Sequence, residues 1–321
     1  MIDESPTPFR FEGARRATAD LAPLRARFDA VLVDLDGTLL HPDGHLTART
    51  WRAVRRLREA GFQVVLCTGR SLAGILSIHR GLGLDTPIAA YNGGWIGRPG
   101  RRPWRYLPIP DTLVGVVARL EFEADFSFRH AGNRKLSVTC AHPLYRRVSA
   151  WYENVVHVGA EDDLPSVDVM RVSCYFDGPG RVEAAWETLA PHARKRLRLQ
   201  HYPLRIFRRF EDTDLHLGEV QLRTRGKAEI YGVLEEILGI PASRTVAIGD
   251  QRNDRTLLAG AGFAVCVANA VEEVKALADL VIPSNEEDGI AAWIEAGAPL
   301  DGAGRRWAEA AIEVGPPEGI G

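Results

Sequence analysis

Short apolar strands alternate with amphipathic helices from Asp29, and this rhythm stops near residue 96 and resumes near residue 222. Asp29-Ala-Val-Leu-Val33 is apolar on both faces, as buried parallel strands are. Thr47 can N-cap a helix running to about Ala60, with Trp51, Val54 and Leu57 as its apolar stripe and Gly61 as its stop. Phe62–Cys67 reads as the next strand, a helix starts at Ser71, and Pro87–Tyr91 reads as a third strand. Such β-α-β-α-β order predicts an open parallel sheet. After the interruption, Ile230, Val233, Leu234 and Ile237 share one helix face closed by Gly239. Thr245–Gly249, Ala264–Val267 and Asp279–Ile282 follow as strands, with helices through Leu257 and Leu258 and over Val271–Ala278. The interrupting stretch keeps no such rhythm. It carries short strands at Asp125–His130, Lys135–Thr139, Val169–Phe176 and Asp214–Gln221, and a turn at Asp177-Gly-Pro-Gly180. The expected organisation is a discontinuous core over 29–96 and 222–297, with an α+β domain inserted at 97–221. Residues 1–28 read as an N-terminal extension and 298–321 as a C-terminal tail.

Composition narrows the class. At roughly 100–200 residues per domain, 321 residues suit about two domains. An apolar share of 45% is enough to bury a core, which excludes disorder throughout. With 40 basic and 42 acidic residues the net charge is -2, and this balance gives no global reason to expect nucleic acid or a membrane surface as partner. The cysteines Cys67, Cys140, Cys174 and Cys266 form no CxxC pair, so no zinc or redox motif is expected. Cys67 and Cys266, in apolar strand-like runs, read as buried reduced thiols, which fits a cytoplasmic protein. No apolar signal-peptide region opens the chain, and no apolar run reaches the roughly 18 residues of a membrane span.

Open parallel sheets bind ligands beyond the carboxyl ends of their strands. The first strand is followed by Asp34-Leu-Asp36-Gly37-Thr38, the second by Thr68-Gly69-Arg70, the third by Asn92-Gly93-Gly94, and the strand Thr245–Gly249 by Asp250-Gln-Arg-Asn253-Asp254. Each alone is an ordinary turn, but four in equivalent positions are not. Phosphoryl transfer is the chemistry they share. Asp34 would attack phosphorus and form an aspartyl-phosphate, splitting one difficult step into two. Asp36 would protonate the leaving oxygen and then deprotonate the attacking water. Asp34, Asp36 and Asp250 offer hard oxygen ligands for Mg²⁺, which offsets the repulsion between carboxylate and phosphate. Gly37 allows close backbone approach. The Thr68–Gly69 loop and Lys227, at a helix N-terminus, would bind the phosphoryl group.

Asp34-Leu-Asp-Gly-Thr-Leu39, Thr68-Gly-Arg70, Lys227 and Gly249-Asp-Gln-Arg-Asn-Asp254 resemble the four motifs of the haloacid dehalogenase (HAD) superfamily. The resemblance covers about residues 29–297, with Glu219 to Lys227, Asn269–Asp279 and Ser284–Gly289 also similar, and is closest to the Cof-type phosphatases. It implies a Rossmann-like parallel-sheet core with an inserted α+β C2B cap. It further implies Asp34 as nucleophile, Asp36 as acid/base with its carbonyl on the metal, and Asp250 as metal ligand. Asn253 would contact the phosphoryl group, Asp254 would position its neighbours, and Thr38, Asn92 and Gly93 would support the site. Three positions depart from the family pattern: Gly226 for Ser, Asp or Asn, Ala268 for Gly, and Tyr91 for a small residue. Cap candidates for substrate recognition are Arg129, His130 and Arg171, whereas the basic run Arg194–Arg198 suits a solvated face. The expected function is a Mg²⁺-dependent phosphomonoester hydrolase acting on a small phosphorylated metabolite such as a sugar phosphate. A phosphomutase of the phosphomannomutase type would share the aspartyl-phosphate. A non-catalytic binding protein would have no need of Asp34, Asp36 and Lys227, all of which are present.

Overall fold

A computed structural model describes residues 9–10, 20–131, 134–152, 154–158, 168–206 and 208–300. Most of the N-terminal extension and the tail beyond 300 therefore lie outside the described residues. Two compact units make up the chain: Met1–Gly69 with Ile75–Arg105 and Arg225–Gly321, and Arg70–Gly74 with Tyr106–Thr224.

The first unit is an α/β domain built on an eight-stranded sheet. Its strand order is Leu280–Ile282, Phe263–Val267, Thr245–Gly249, Ala30–Val33, Gln63–Cys67, Ile88–Ala90, Trp95–Gly97 and Arg105–Tyr106. The first six run parallel, and Trp95–Gly97 turns back antiparallel to Ile88–Ala90. Ala30–Val33 is buried throughout, as a strand covered on both faces must be. Thr47 caps the helix Ala48–Glu59 by accepting the Thr50 N–H at 3.1 Å, and that helix buries Val54 and Leu57. The sheet extends past residue 96 because Trp95–Gly97 and Arg105–Tyr106 add to its edge. The structure therefore keeps 97–105 with the first unit, and the outgoing crossing falls at Arg105–Tyr106.

In the second unit a six-stranded sheet has the order Val155–Val158, Arg134–Val138, Phe126–Ala131, Arg171–Asp177, Leu215–Leu222 and Leu197–Pro203. Val172, Cys174, Phe176 and Val220 line one face against Leu113, Val117 and Leu120 of the helix Asp111–Glu123 and Val182 of the helix Arg181–Glu187. The other face carries an aromatic cluster including Phe126, Phe128, Tyr145 and Tyr175. This is the two-layer logic of an α+β domain.

Asp29, at the start of the central strand, ties two elements of the first unit together. Its N–H donates to the Arg244 carbonyl at 2.8 Å, and its carboxylate pairs with the guanidinium groups of Arg244 and Arg25. The Arg244 hydrogen bond, aided by Arg25 and opposed by partial burial, lowers its pKa from 3.8 to about 2. A depressed carboxyl stabilises the fold above its unfolded pKa and loses that contribution as pH falls through the folded value. Asp29→Asn is therefore expected to lower the urea midpoint modestly above pH 4, with the gap to wild type closing towards pH 2. Urea titrations at several pH values check this.

Candidate active site

The sheet register sets the site. Val33 lies opposite both Leu66 and Ile248, so three neighbouring strands end at one level. Asp34 leaves the sheet there with its N–H on the Ile248 carbonyl at 3.0 Å. The Thr68 N–H donates to the Ala89 carbonyl at 2.8 Å, and the Asn92 N–H to the Thr68 carbonyl at 2.9 Å. Asp34, Thr68, Asn92 and Asp250 are all buried at this end.

Lys227 joins the loops. It sits in the turn Gly226–Ala228, is fully buried, and places Nζ 2.5 Å from Asp34 Oδ1 and 2.5 Å from Asp254 Oδ1. The other Asp254 oxygen accepts the N–H groups of Asp250 at 3.1 Å and Gln251 at 3.0 Å. Thr38 donates to Asp250 Oδ1 at 2.7 Å. Asn253 donates to Asn92 Oδ1 at 3.0 Å, and a Cβ on Gly69 would lie 3.3 Å from that same oxygen. Thr68, Gly69, Asn92 and Asn253 thus share one corner. Asp36 is exposed, on an extended backbone before Gly37.

Three aspartates share this volume with one lysine. Burial raises the Asp34 pKa well above the usual carboxylate range, and Asp254 raises it further against the pull of Lys227. Burial and then Asp254 push Asp250 up to about 7, opposed by the Thr38 hydroxyl. Burial works against the Lys227 ammonium, but Asp254 and Asp34 more than offset it and raise its pKa. Carboxylate oxygens of Asp34, Asp250 and Asp254 lie within 4.8 Å of one another. An all-oxygen donor set with surplus negative charge fits a hard divalent cation such as Mg²⁺. Of the ligand set read from the sequence, Asp34 and Asp250 are in this cluster and the Asp36 carboxylate is not.

Two asparagines outside the four motifs also bear on the loop that follows Asp34. Asn269 Nδ2 donates to the Gly37 carbonyl at 2.7 Å, and its Oδ1 accepts the Asn285 N–H at 3.0 Å. Asn285 Nδ2 in turn donates to the Leu40 carbonyl at 2.7 Å. The pair holds this loop at its middle and its end. The signal was available, since each follows the carboxyl end of a core strand.

Within the second unit, the register aligns Lys135, His130, Arg171 and Gln221 in one row across four strands. All four are buried. Arg171 pairs with Glu219 at 3.0 Å, and His130 Nε2 lies 2.9 Å from Ser173 Oγ. Arg129 alternates to the opposite face and makes a bidentate contact with Glu121, closest at 2.6 Å.

A parallel-rich sheet with carboxylates and a buried lysine at its strand ends, interrupted by an α+β domain, defines a class of hydrolases. The chain belongs to the haloacid dehalogenase-like hydrolase family, whose pattern it matches over residues 31–294. It is similar to phosphatase YwpJ of Bacillus subtilis, at 28% identity over 81% of this chain and 96% of that one. It is also similar, at 25% identity over 83% of this chain and 96% of the other, to 5-amino-6-(5-phospho-D-ribitylamino)uracil phosphatase YitU of the same organism. Among solved structures, a haloacid dehalogenase-like hydrolase from Bacteroides thetaiotaomicron shares the fold with a TM-score of 0.71 at 24% identity, over 84% of this chain and 99% of that one.

Gly37 provides a local test. Its φ is +80°, and a Cβ there would lie 2.4 Å from Asp250 Oδ2. Gly37→Ala combines a backbone strain of about 1–3 kcal/mol with displacement of Asp250. Mg²⁺ affinity by isothermal titration is expected to fall about tenfold or more, with the far-ultraviolet circular dichroism retained.

Proposed function

We propose that this chain is a Mg²⁺-dependent phosphomonoester phosphatase working through an aspartyl-phosphate on Asp34. The observation that carries the reading is Lys227, buried between Asp34 and Asp254 at 2.5 Å from each, with Asp250 beside them. A lysine held there supplies fixed positive charge where a transferring phosphoryl group is anionic.

The steps follow from the groups present. An Asp34 carboxylate oxygen attacks phosphorus as the bond to the leaving oxygen breaks, and Asp36 gives that oxygen its proton. Water then attacks the phosphorus of the acyl phosphate, and Asp36 takes its proton. Phosphate leaves and the Asp34 carboxylate is restored. Thr68, Gly69, Asn253 and Lys227 bind the phosphoryl oxygens, while Thr38, Asn92, Gly93 and Asp254 hold these groups in place. Mg²⁺, bound by Asp34, Asp250 and the Asp36 carbonyl, would neutralise charge between carboxylate and phosphoryl group.

The substrate class is a small phosphorylated metabolite such as a sugar phosphate. Supporting it, the YitU relative is named for a phosphorylated ribityl compound. His130 and Arg171, in the buried polar row of the second unit, are our proposed contacts for the rest of the substrate. The Glu121 pairing of Arg129 favours a structural role for that residue. Transfer to a sugar hydroxyl, as in a phosphomutase, would use the same first step, but the names of the two phosphatase relatives favour water as acceptor. The four cysteines are all unpaired, as suits the reducing cytoplasm, where we place the protein. No described helix is long and apolar enough to cross a membrane.

With p-nitrophenyl phosphate and Mg²⁺ the wild type is expected to release phosphate, and EDTA to abolish this. Asp36→Asn should lower kcat by about 10²–10⁴-fold. Asp34→Asn should leave no measurable turnover and no acid-stable phosphoprotein after quenching. Full activity of folded, metal-loaded Asp34→Asn would overturn the nucleophile assignment.

A further inference from the structure

Glu229 is a buried carboxylate that the phosphatase steps do not use. It opens the helix Glu229–Leu238 and is only 8% exposed. Its Oε1 accepts the backbone N–H of Arg225 at 3.1 Å and lies 3.6 Å from Arg225 Nε. Its Oε2 lies 3.8 Å from Nε of Arg105, a buried nitrogen with no hydrogen-bond partner among the described residues. Arg105 is the last residue of the first unit before the chain departs, and Arg225 is the first on its return. One carboxylate therefore meets both crossings.

Two neighbours show that this juxtaposition is built in. A Cβ on Gly232, one helical turn beyond Glu229, would stand 3.7 Å from Arg225 Nη2 and 3.9 Å from Arg105 Nη2. Both guanidinium groups thus lie over the bare flank of this helix. A Cβ on Gly93 would stand 2.3 Å from the Gly226 carbonyl oxygen and 3.2 Å from Glu229 Cβ. The Asn92–Gly93 turn is therefore seated directly on the segment that Glu229 holds. Between Arg225 and Glu229 lies Lys227.

We infer that Glu229 is a positioning residue that clasps the outgoing and returning chain at Arg105 and Arg225, and so fixes the turn that delivers Lys227 to Asp34. The catalytic half of this statement rests on the phosphatase reading. The clasp itself does not. An acid in the first turn also complements the helix dipole, but that effect needs neither the Arg225 N–H nor the pair of arginines.

Glu229→Ala and Glu229→Gln separate the roles, because the Gln amide oxygen still accepts the Arg225 N–H. Hydrogen exchange on the intact protein reads the clasp without any activity. Glu229→Ala should speed exchange about five- to tenfold across 225–228, with the strand Thr245–Gly249 unchanged, and Glu229→Gln should restore most of the protection. Turnover of p-nitrophenyl phosphate reads the positioning. In Glu229→Ala, kcat should fall about tenfold with KM within about threefold, and Glu229→Gln should recover most of kcat. Unchanged exchange across 225–228 in Glu229→Ala overturns the clasp. Altered exchange with kcat within about twofold of wild type overturns its link to Lys227. A wild type inactive on every phosphomonoester, with the exchange effect present, removes the phosphatase reading and leaves the clasp standing.

Discussion

The buried ammonium of Lys227 is the interaction around which the first unit is organised. A fully buried charge costs several kcal/mol unless it is paired and hydrogen-bonded. Asp34 and Asp254 meet that requirement at 2.5 Å each. Those aspartates lie on loops after the strands Ala30–Val33 and Thr245–Gly249, which are neighbours in the sheet, while Lys227 comes from the segment that returns from the insert. The three can meet only if the interrupted halves of the unit close on one another. Removing the lysine would leave two carboxylates buried against each other, so its retention serves folding as well as the proposed chemistry.

Closing the halves also fixes the loop after Asp34. In the proposed mechanism that loop must be open enough at Asp36 to reach a leaving group, yet rigid enough to aim Asp34. Asn269 and Asn285 meet both demands by binding the Gly37 and Leu40 carbonyls from the loops after the strands Phe263–Val267 and Leu280–Ile282. Asp250 bears on the same loop through Thr38 and through its close approach to Gly37. Asp36 is left exposed just before these anchors. A fixed backbone next to one exposed acid is the arrangement that the proposed acid/base role of Asp36 needs.

The core was legible from sequence because parallel topology converts order along the chain into position in space. Once Asp34, Thr68, Asn92 and Asp250 each follow a strand, the sheet delivers them to one end. The insert offered no such rule. Leu197–Pro203 forms its edge strand, yet a basic run overlapping its start masks the strand signal, and no strand was expected there. Arg129 and His130 are adjacent and chemically similar as candidates, but strand alternation sends them to opposite faces. Nothing in the local sequence says which face carries the polar row, because that depends on which side the helix Asp111–Glu123 covers. The Glu229 contacts were hidden for a related reason: Arg105 is remote in sequence, and only the fold brings it to the same carboxylate.

Two of the departures from the family pattern become intelligible as backbone requirements. Gly226 has φ +68°, a region that glycine enters freely and that asparagine and aspartate tolerate. Glycine there preserves the turn that presents Lys227, although it gives up a side chain. Tyr91 is the costlier case. It sits at φ +52° beside Asn92 at +53°, and both are buried. For a bulky residue that conformation costs about 1–3 kcal/mol, and it persists only where its surroundings over-determine it. The surroundings here include the Asn92 N–H on the Thr68 carbonyl and the Gly94 N–H on the Tyr91 carbonyl at 3.1 Å. The strained turn holds Asn92 against Asn253 at 3.0 Å and seats Gly93 on the Gly226 carbonyl. Strain at Tyr91 is thus stored where the Asn92–Asn253 corner and the lysine turn meet, and relaxing it would loosen both.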